Sequence, residues 1–198
     1  APLGLAFAAL ALVATRQQAA TRVAASTAHV PVATTSLHAQ ASGLYWLGPY
    51  SERSPALVLS LDCPACLDLL EQLTQRSYAA ATAGPALYFK TSHTNRALTE
   101  SFVAAVLSQD ATPRDAFLAV ATLLLAQKDA VLAAPASAAH QLAAQFPAAA
   151  SRRVVASRIL DDHAAALQSS ALGETTPLLL PREGKPRAFF SADDLFPR

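Results

Sequence analysis

The chain lacks methionine altogether, has one tryptophan, two cysteines and six glycines, and gives only 15% of its 198 residues to charged side chains. Each shortage excludes something. Two cysteines are too few for a disulfide-stapled scaffold, and an all-cysteine zinc site needs four. Fifteen basic against fourteen acidic residues leave a formal net charge of +1. The basic residues are scattered, so the chain carries no nucleic-acid footprint. The lack of methionine, position 1 included, is expected of a processed form or of a segment of a longer polypeptide. What remains is apolar: 53% of the residues are hydrophobic, and many of these are alanine, which favours helix. Such a chain holds one domain with a sizeable core, or one domain carrying an insertion.

Ala1 to Ala14 form an uncharged apolar run, followed by Arg16 and Arg22. A bilayer span needs about 20 apolar residues. Three readings therefore stand for residues 1–16: a membrane anchor or the end of one, a signal-peptide remnant, or a helix of the soluble domain. Ala39-Gln40-Ala41 has the small-x-small form of a cleavage site but stands far from the run. The two arginines on the C-terminal side of the run favour the cytoplasm for the remainder of the chain. Residues 17–43 are rich in Ala, Thr, Ser and Gln, show no persistent apolar face, and read as a linker.

From Gly43 the pattern sharpens. Gly43 to Leu47 suits a short strand stopped by Gly48-Pro49, with Trp46 as a core aromatic. Ala56 to Leu61 is a short apolar run expected to be a buried central strand. Leu67, Leu69, Leu70 and Leu73 after Pro64 have helical spacing, and proline is well placed in a first helical turn. Ala86 to Lys90 is a second buried strand after the Gly84-Pro85 turn. Residues 96–168 read as three or four helices. One of them opens with Thr112 as N-cap and Pro113 at its first position, and the last carries Val154, Val155, Ile159, Leu160 and Leu167. Thr175 to Leu180 and Pro186 to Phe190 are expected to pair as an antiparallel hairpin, and Ser191 to cap the start of a closing helix.

Both cysteines lie between the first buried strand and its helix, as Cys63-Pro64-Ala65-Cys66. The positive end of a helix and its free N–H groups favour a thiolate at Cys63, while Cys66, one turn on, is a partly buried resolving thiol. Two other readings of the motif are a static disulfide and half of a metal site. His93, His140 and His163 would have to complete a two-cysteine, two-histidine zinc site, and their spacing lacks the H-x3–5-H pattern. Taken singly, each histidine is expected to be exposed. Asp161-Asp162, Asp193-Asp194 and Arg152-Arg153 read as capping or solvated groups.

The order is strand, C-x-x-C helix, strand, helical stretch, then a Thr-Pro about 110 residues after Cys66 at the head of an apolar strand. It resembles the thioredoxin fold with a helical insertion, as in DsbA-like thiol–disulfide oxidoreductases. It is also similar to the thioredoxin-like domain of bacterial vitamin K epoxide reductase homologues. The residues that carry the resemblance are Cys63 to Cys66, Thr175-Thr176-Pro177, Gly184-Lys185 and Asp193-Asp194-Leu195. It implies an α/β, thioredoxin-like domain over residues 44–198 with an all-helical insertion at about 96–170, preceded by the apolar helix and linker. It implies Cys63 and Cys66 as catalytic residues. Pro64, Ala65, Thr176 and Pro177 would contact substrate, the bond before Pro177 being cis. Two features depart from the family pattern. Asp62 stands where relatives often have an aromatic residue, and its carboxylate disfavours a thiolate beside it. The closing helix is barely present.

The function implied is thiol–disulfide exchange with protein thiols and disulfides. No cofactor or metal is called for, because the disulfide is itself the redox centre. The second family implies a membrane redox partner and, through it, a quinone. The location implied is membrane-anchored and extracytoplasmic, on the periplasmic side. The alternative is a non-catalytic accessory subunit of a membrane assembly, holding the cysteines as a structural bridge.

Overall fold

The computed structural model of the chain describes residues 43–51, 54–75, 84–170, 176–181, 185–188 and 191–195, all within the unit Thr34–Arg198. The apolar run 1–16 and, apart from Gly43, the linker 17–43 lie outside the described residues, as do Thr175, Gly184 and Phe189-Phe190. The element order is β1 (Ala56–Leu59), α1 (Pro64–Gln75), β2 (Ala86–Phe89), α2 (Arg96–Leu107), α3 (Pro113–Leu125), α4 (Lys128–Ala133), α5 (Pro135–Gln145), α6 (Ala150–Ser169), β3 (Leu178–Leu180) and a closing 3-10 turn, Ala192–Leu195. The architecture is mixed α/β.

The sheet order is β2-β1-β3. β1 runs parallel to β2, with Ala56 opposite Ala86 and Leu59 opposite Phe89, and antiparallel to β3, with Ala56 opposite Leu180. Parallel neighbours need a crossover, and α1 lies in the one between β1 and β2. Side chains alternate between the two faces of a strand. Leu57, Leu59, Leu87, Phe89 and Leu179 join one core with Leu67, Leu70 and Leu73 of α1 and Phe102 of α2. Ala56, Val58, Ala86, Tyr88, Leu178 and Leu180 form a second with Ala166 of α6. A strand covered on both faces has no polar alternate positions, which is why β1 and β2 are continuous apolar runs in the sequence.

Several expectations are corrected. The strand expected at Gly43 to Leu47 is a single antiparallel bridge between Leu44 and Leu87, because the chain then turns Trp46 and Leu47 into the core. Trp46 lies among Phe89, Phe102 and Phe117, with ring centroids 6.1, 6.3 and 5.6 Å away. Of the hairpin expected across Pro181, the described residues show an antiparallel bridge between Leu179 and Arg187, and Pro186 beside it has no N–H to extend the ladder. The helical stretch holds five helices, not three or four. The residue before a proline is driven out of the helical region, and Ala134 (φ −149°, ψ 74°), ahead of Pro135, breaks α4 from α5. Where the start of a closing helix is expected, the described residues form a 3-10 turn.

In α6, Val154 and Val155 point to solvent, 69% and 43% exposed. The buried stripe is Ala156, Leu160, His163 and Ala166 at three- and four-residue spacing. His163 is thus fully buried rather than exposed. The N–H groups of Leu87 and Phe89 point off the outer edge of β2. Leu44 takes the first at 2.9 Å and His163 Nδ1 the second at 3.1 Å. Together they close an edge that would otherwise offer open donors.

Candidate functional site

The site begins where β1 ends. Ser60, Leu61 and Asp62 turn the chain, with the Cys63 N–H donating to the Ser60 carbonyl at 3.2 Å. The Cys63 carbonyl accepts from the N–H groups of Cys66 (3.0 Å) and Leu67 (3.1 Å). Cys63 is therefore the residue before the first helical turn, and Pro64 holds the first helical position, where no N–H is needed. The helical period decides the rest. Cys66, Leu67, Leu69, Leu70 and Leu73 face the core, whereas Cys63 is half-buried at the rim and Pro64 and Ala65 are exposed. Both cysteines are free thiols.

The head of β3 reaches the same point. Thr176 is half-buried, Pro177 is buried, and the peptide bond between them is cis. Cys63 Sγ donates to the Thr176 carbonyl at 3.2 Å across 113 residues of sequence. Of the residues singled out from sequence, Cys63, Cys66 and Thr176 are thus brought together by hydrogen bonding or adjacency, and Pro64 and Ala65 form the exposed link between the thiols. A cleft of about 260 Å³ opens beside Cys63, bounded by Thr176, Asp62, Ser60 and the segment from Lys90 to Ser92.

The two thiols have different surroundings. Burial pushes the Cys66 thiol up to about 12; the nearby Cys63 adds to the effect, and a hydrogen bond from the Ser60 N–H, 3.3 Å from Cys66 Sγ, works against it. Cys66 is therefore a protonated thiol near neutrality, and Cys63 is the sulfur that faces solvent.

No family model matches the chain, and no curated protein or solved structure does either. The chemistry of the site accordingly stands on its geometry.

Asp62, next to Cys63 in sequence, is held in a network of hydrogen bonds. Its Oδ1 accepts from Ser60 Oγ (2.5 Å) and Asn95 Nδ2 (2.7 Å), and its Oδ2 from Thr94 Oγ1 (3.4 Å). Partial burial opposes its charge, but these donors outweigh burial and hold the carboxyl below its ordinary value of 3.8. Asn95 and Ser60 are the residues that sequence reasoning missed. The signal for Asn95 was available: an asparagine directly before a helix is a capping candidate. Its side chain caps nothing and is turned to the cysteine turn instead.

Among the described residues, the histidines do not gather at the cysteines. His93 and His140 are exposed and His163 is in the core. Among the described residues, no group of three or more His, Cys, Asp or Glu is placed to hold a metal ion, and no helix is long and apolar enough to cross a membrane. Asp161 is exposed and pairs with Arg96 at 2.8 Å. Asp194 accepts from the Ser191 N–H at 2.8 Å in the closing turn. Arg152 and Arg153 are solvent-exposed.

Proposed function

We propose that this chain carries out thiol–disulfide exchange, with Cys63 as nucleophile, Cys66 as resolving thiol and Thr176-Pro177 as one wall of the substrate site. The observation that carries the reading is the contact of Cys63 Sγ with the Thr176 carbonyl, 3.2 Å apart and 113 residues distant in sequence. A static bridge needs only two sulfurs. Here a half-buried sulfur at a helix start also shares a cleft with the irregular backbone ahead of β3. The thioredoxin-like architecture is part of the same proposal. It draws support from the central β1, the parallel β2, the antiparallel β3 and the placement of five helices, α2 to α6, between β2 and β3.

The reaction balances without a further reagent. The Cys63 thiolate attacks one sulfur of a substrate disulfide, forms a mixed disulfide and releases the other substrate sulfur as a thiolate. Cys66 then loses its proton to solvent and attacks Cys63 Sγ, closing the Cys63–Cys66 bond and releasing the second substrate thiol. Two electrons pass from the dithiol to the substrate, and the reverse sequence oxidises substrate thiols. Protein disulfides and thiols are the substrate class. A membrane tether, an extracytoplasmic position and a membrane redox partner complete the proposal. They rest on the run Ala1 to Ala14 and on the family resemblance.

The test is the reduction potential of the Cys63–Cys66 couple, measured by equilibration against glutathione with an alkylation gel shift. A value above about −230 mV marks an exchange-competent bond. A value below about −300 mV marks a bond that resists the glutathione pool and overturns the reading in favour of an accessory subunit with a structural bridge.

A further inference from the structure

We infer that Asn95 is a positioning residue for the resolving thiol: it locks Ser60 so that the Ser60 N–H stays aimed at Cys66 Sγ as that sulfur becomes a thiolate. The inference rests on the exchange reading and deepens it. Asn95 is fully buried at the start of α2. Its Nδ2 donates to Ser60 Oγ at 2.8 Å and to Asp62 Oδ1 at 2.7 Å, and its Oδ1 accepts from the Ser92 N–H at 2.8 Å. The amide orientation is self-consistent, with both donors on oxygens and the acceptor on an N–H. The Ser60 hydroxyl in turn donates to Asp62 Oδ1 at 2.5 Å.

Ser60 is thereby held by its side chain from one direction, while its backbone N–H reaches Cys66 Sγ at 3.3 Å in the other. Cys66 is fully buried, so a charge formed on it receives little help from solvent. The Ser60 N–H is a donor that stays with the sulfur when the mixed disulfide resolves. Asn95 supplies this positioning instead of a side-chain cap to its own helix, which shows no such bond. The Asn95 carbonyl still accepts the Thr99 N–H (2.9 Å) and Thr99 Oγ1 (3.0 Å), so the backbone begins α2 without the side chain.

The experiment uses the reduced protein and one equivalent of dithiobis-nitrobenzoate, a chromogenic aromatic disulfide. The Cys63 thiolate attacks it, releases one aryl thiolate and keeps the other as a mixed disulfide. Attack by Cys66 then closes the intramolecular disulfide and releases the second aryl thiolate, so the second optical phase reads the ionisation of Cys66. We expect the second-phase pH profile of Asn95→Ala to move upward by about one pH unit, and the phase to slow about tenfold near neutrality. Ser60→Ala, which keeps the N–H but loses the hydroxyl anchor, moves the profile in the same direction and decides the matter should Asn95→Ala fail to fold. Thr99→Val removes a buried hydrogen bond at the same helix start without touching Ser60. It lowers stability and leaves the profile in place. Variant profiles that superimpose on that of the unaltered protein overturn the inference alone. An unaltered protein without any second phase overturns the exchange reading, and the inference with it.

Discussion

The reduced protein should lose stability as pH rises above about 9, and Cys66 is the group responsible. The side chain is fully buried on the core face of α1, and burial pushes its thiol from 9.0 up to about 12. In the unfolded chain the same thiol titrates near its ordinary value. Between the two values the unfolded state gives up its proton and the folded state keeps it. The unfolded state then binds fewer protons, so stability falls as pH rises. Each pH unit is worth about 1.4 kcal/mol. The loss is therefore on the order of 1 kcal/mol at about pH 10, and several kcal/mol once the folded thiol ionises as well. The assay is urea unfolding by circular dichroism under reducing conditions, across that pH range, for the unaltered protein and for Cys66→Ala. All other groups are common to both proteins and cancel in the difference. Cys66→Ala starts from a different stability because it leaves a small cavity, so the slope is the quantity to compare. A divergence on the order of 1 kcal/mol between the two curves is expected. Parallel curves would show that the buried thiol titrates alike in both states, and the division of roles between the two cysteines would fall.

Four further outcomes rest on particular contacts. Cys66→Ser should trap a mixed disulfide on Cys63 when the protein meets a small disulfide, whereas Cys63→Ser should trap little on the buried Cys66; mass spectrometry of the intact chain reads the difference, and equal trapping would contradict it. His163→Leu leaves the Phe89 N–H on the outer edge of β2 without its acceptor and should cost about 1–3 kcal/mol, seen as a lower Tm and faster amide exchange at Phe89. An unchanged amide would remove His163 from the role of closing that edge. At Gly84 an added Cβ would sit 2.6 Å from the Gly48 nitrogen and 2.7 Å from the Leu47 carbonyl carbon. Backbone must shift there, and Gly84→Ala should destabilise by about 1–3 kcal/mol, which a thermal scan measures. The Asp62 carboxyl is held below 3.8, partial burial opposing and its hydrogen-bond donors prevailing. Its contribution is present above that value and lost as pH falls through the folded one, so Asp62→Asn should flatten the acid limb of the stability curve.

Local pattern alone was enough for the elements that lead to the site. β1, α1 and β2 are short, continuous apolar runs or a clean helical stripe, bounded by proline, glycine and the cysteines, and they fall where the periodicity places them. Thr112 and Pro113 mark the start of α3 because capping is a one-turn affair: the Thr112 hydroxyl accepts the Asp115 N–H at 3.2 Å. The C-x-x-C motif was legible for the same reason, Cys63 standing just before the helix and Cys66 in its first turn.

Tertiary structure decided whatever depends on partners far along the chain. Which face of α6 is buried turned on what lay beside it: Val154 and Val155 are the more hydrophobic residues, yet Ala156, Leu160, His163 and Ala166 lie on the stripe toward the core. His163 looked like a solvated polar residue until the open edge of β2 supplied an N–H for its ring. The partners of the Asp62 carboxylate could not be read locally: one is Ser60, two residues before it, and the other is Asn95, 33 residues away. The contact of Cys63 with Thr176 belongs to the same group. Sequence named both residues, but only the antiparallel placement of β3 beside β1 sets the one sulfur 3.2 Å from the other's carbonyl oxygen.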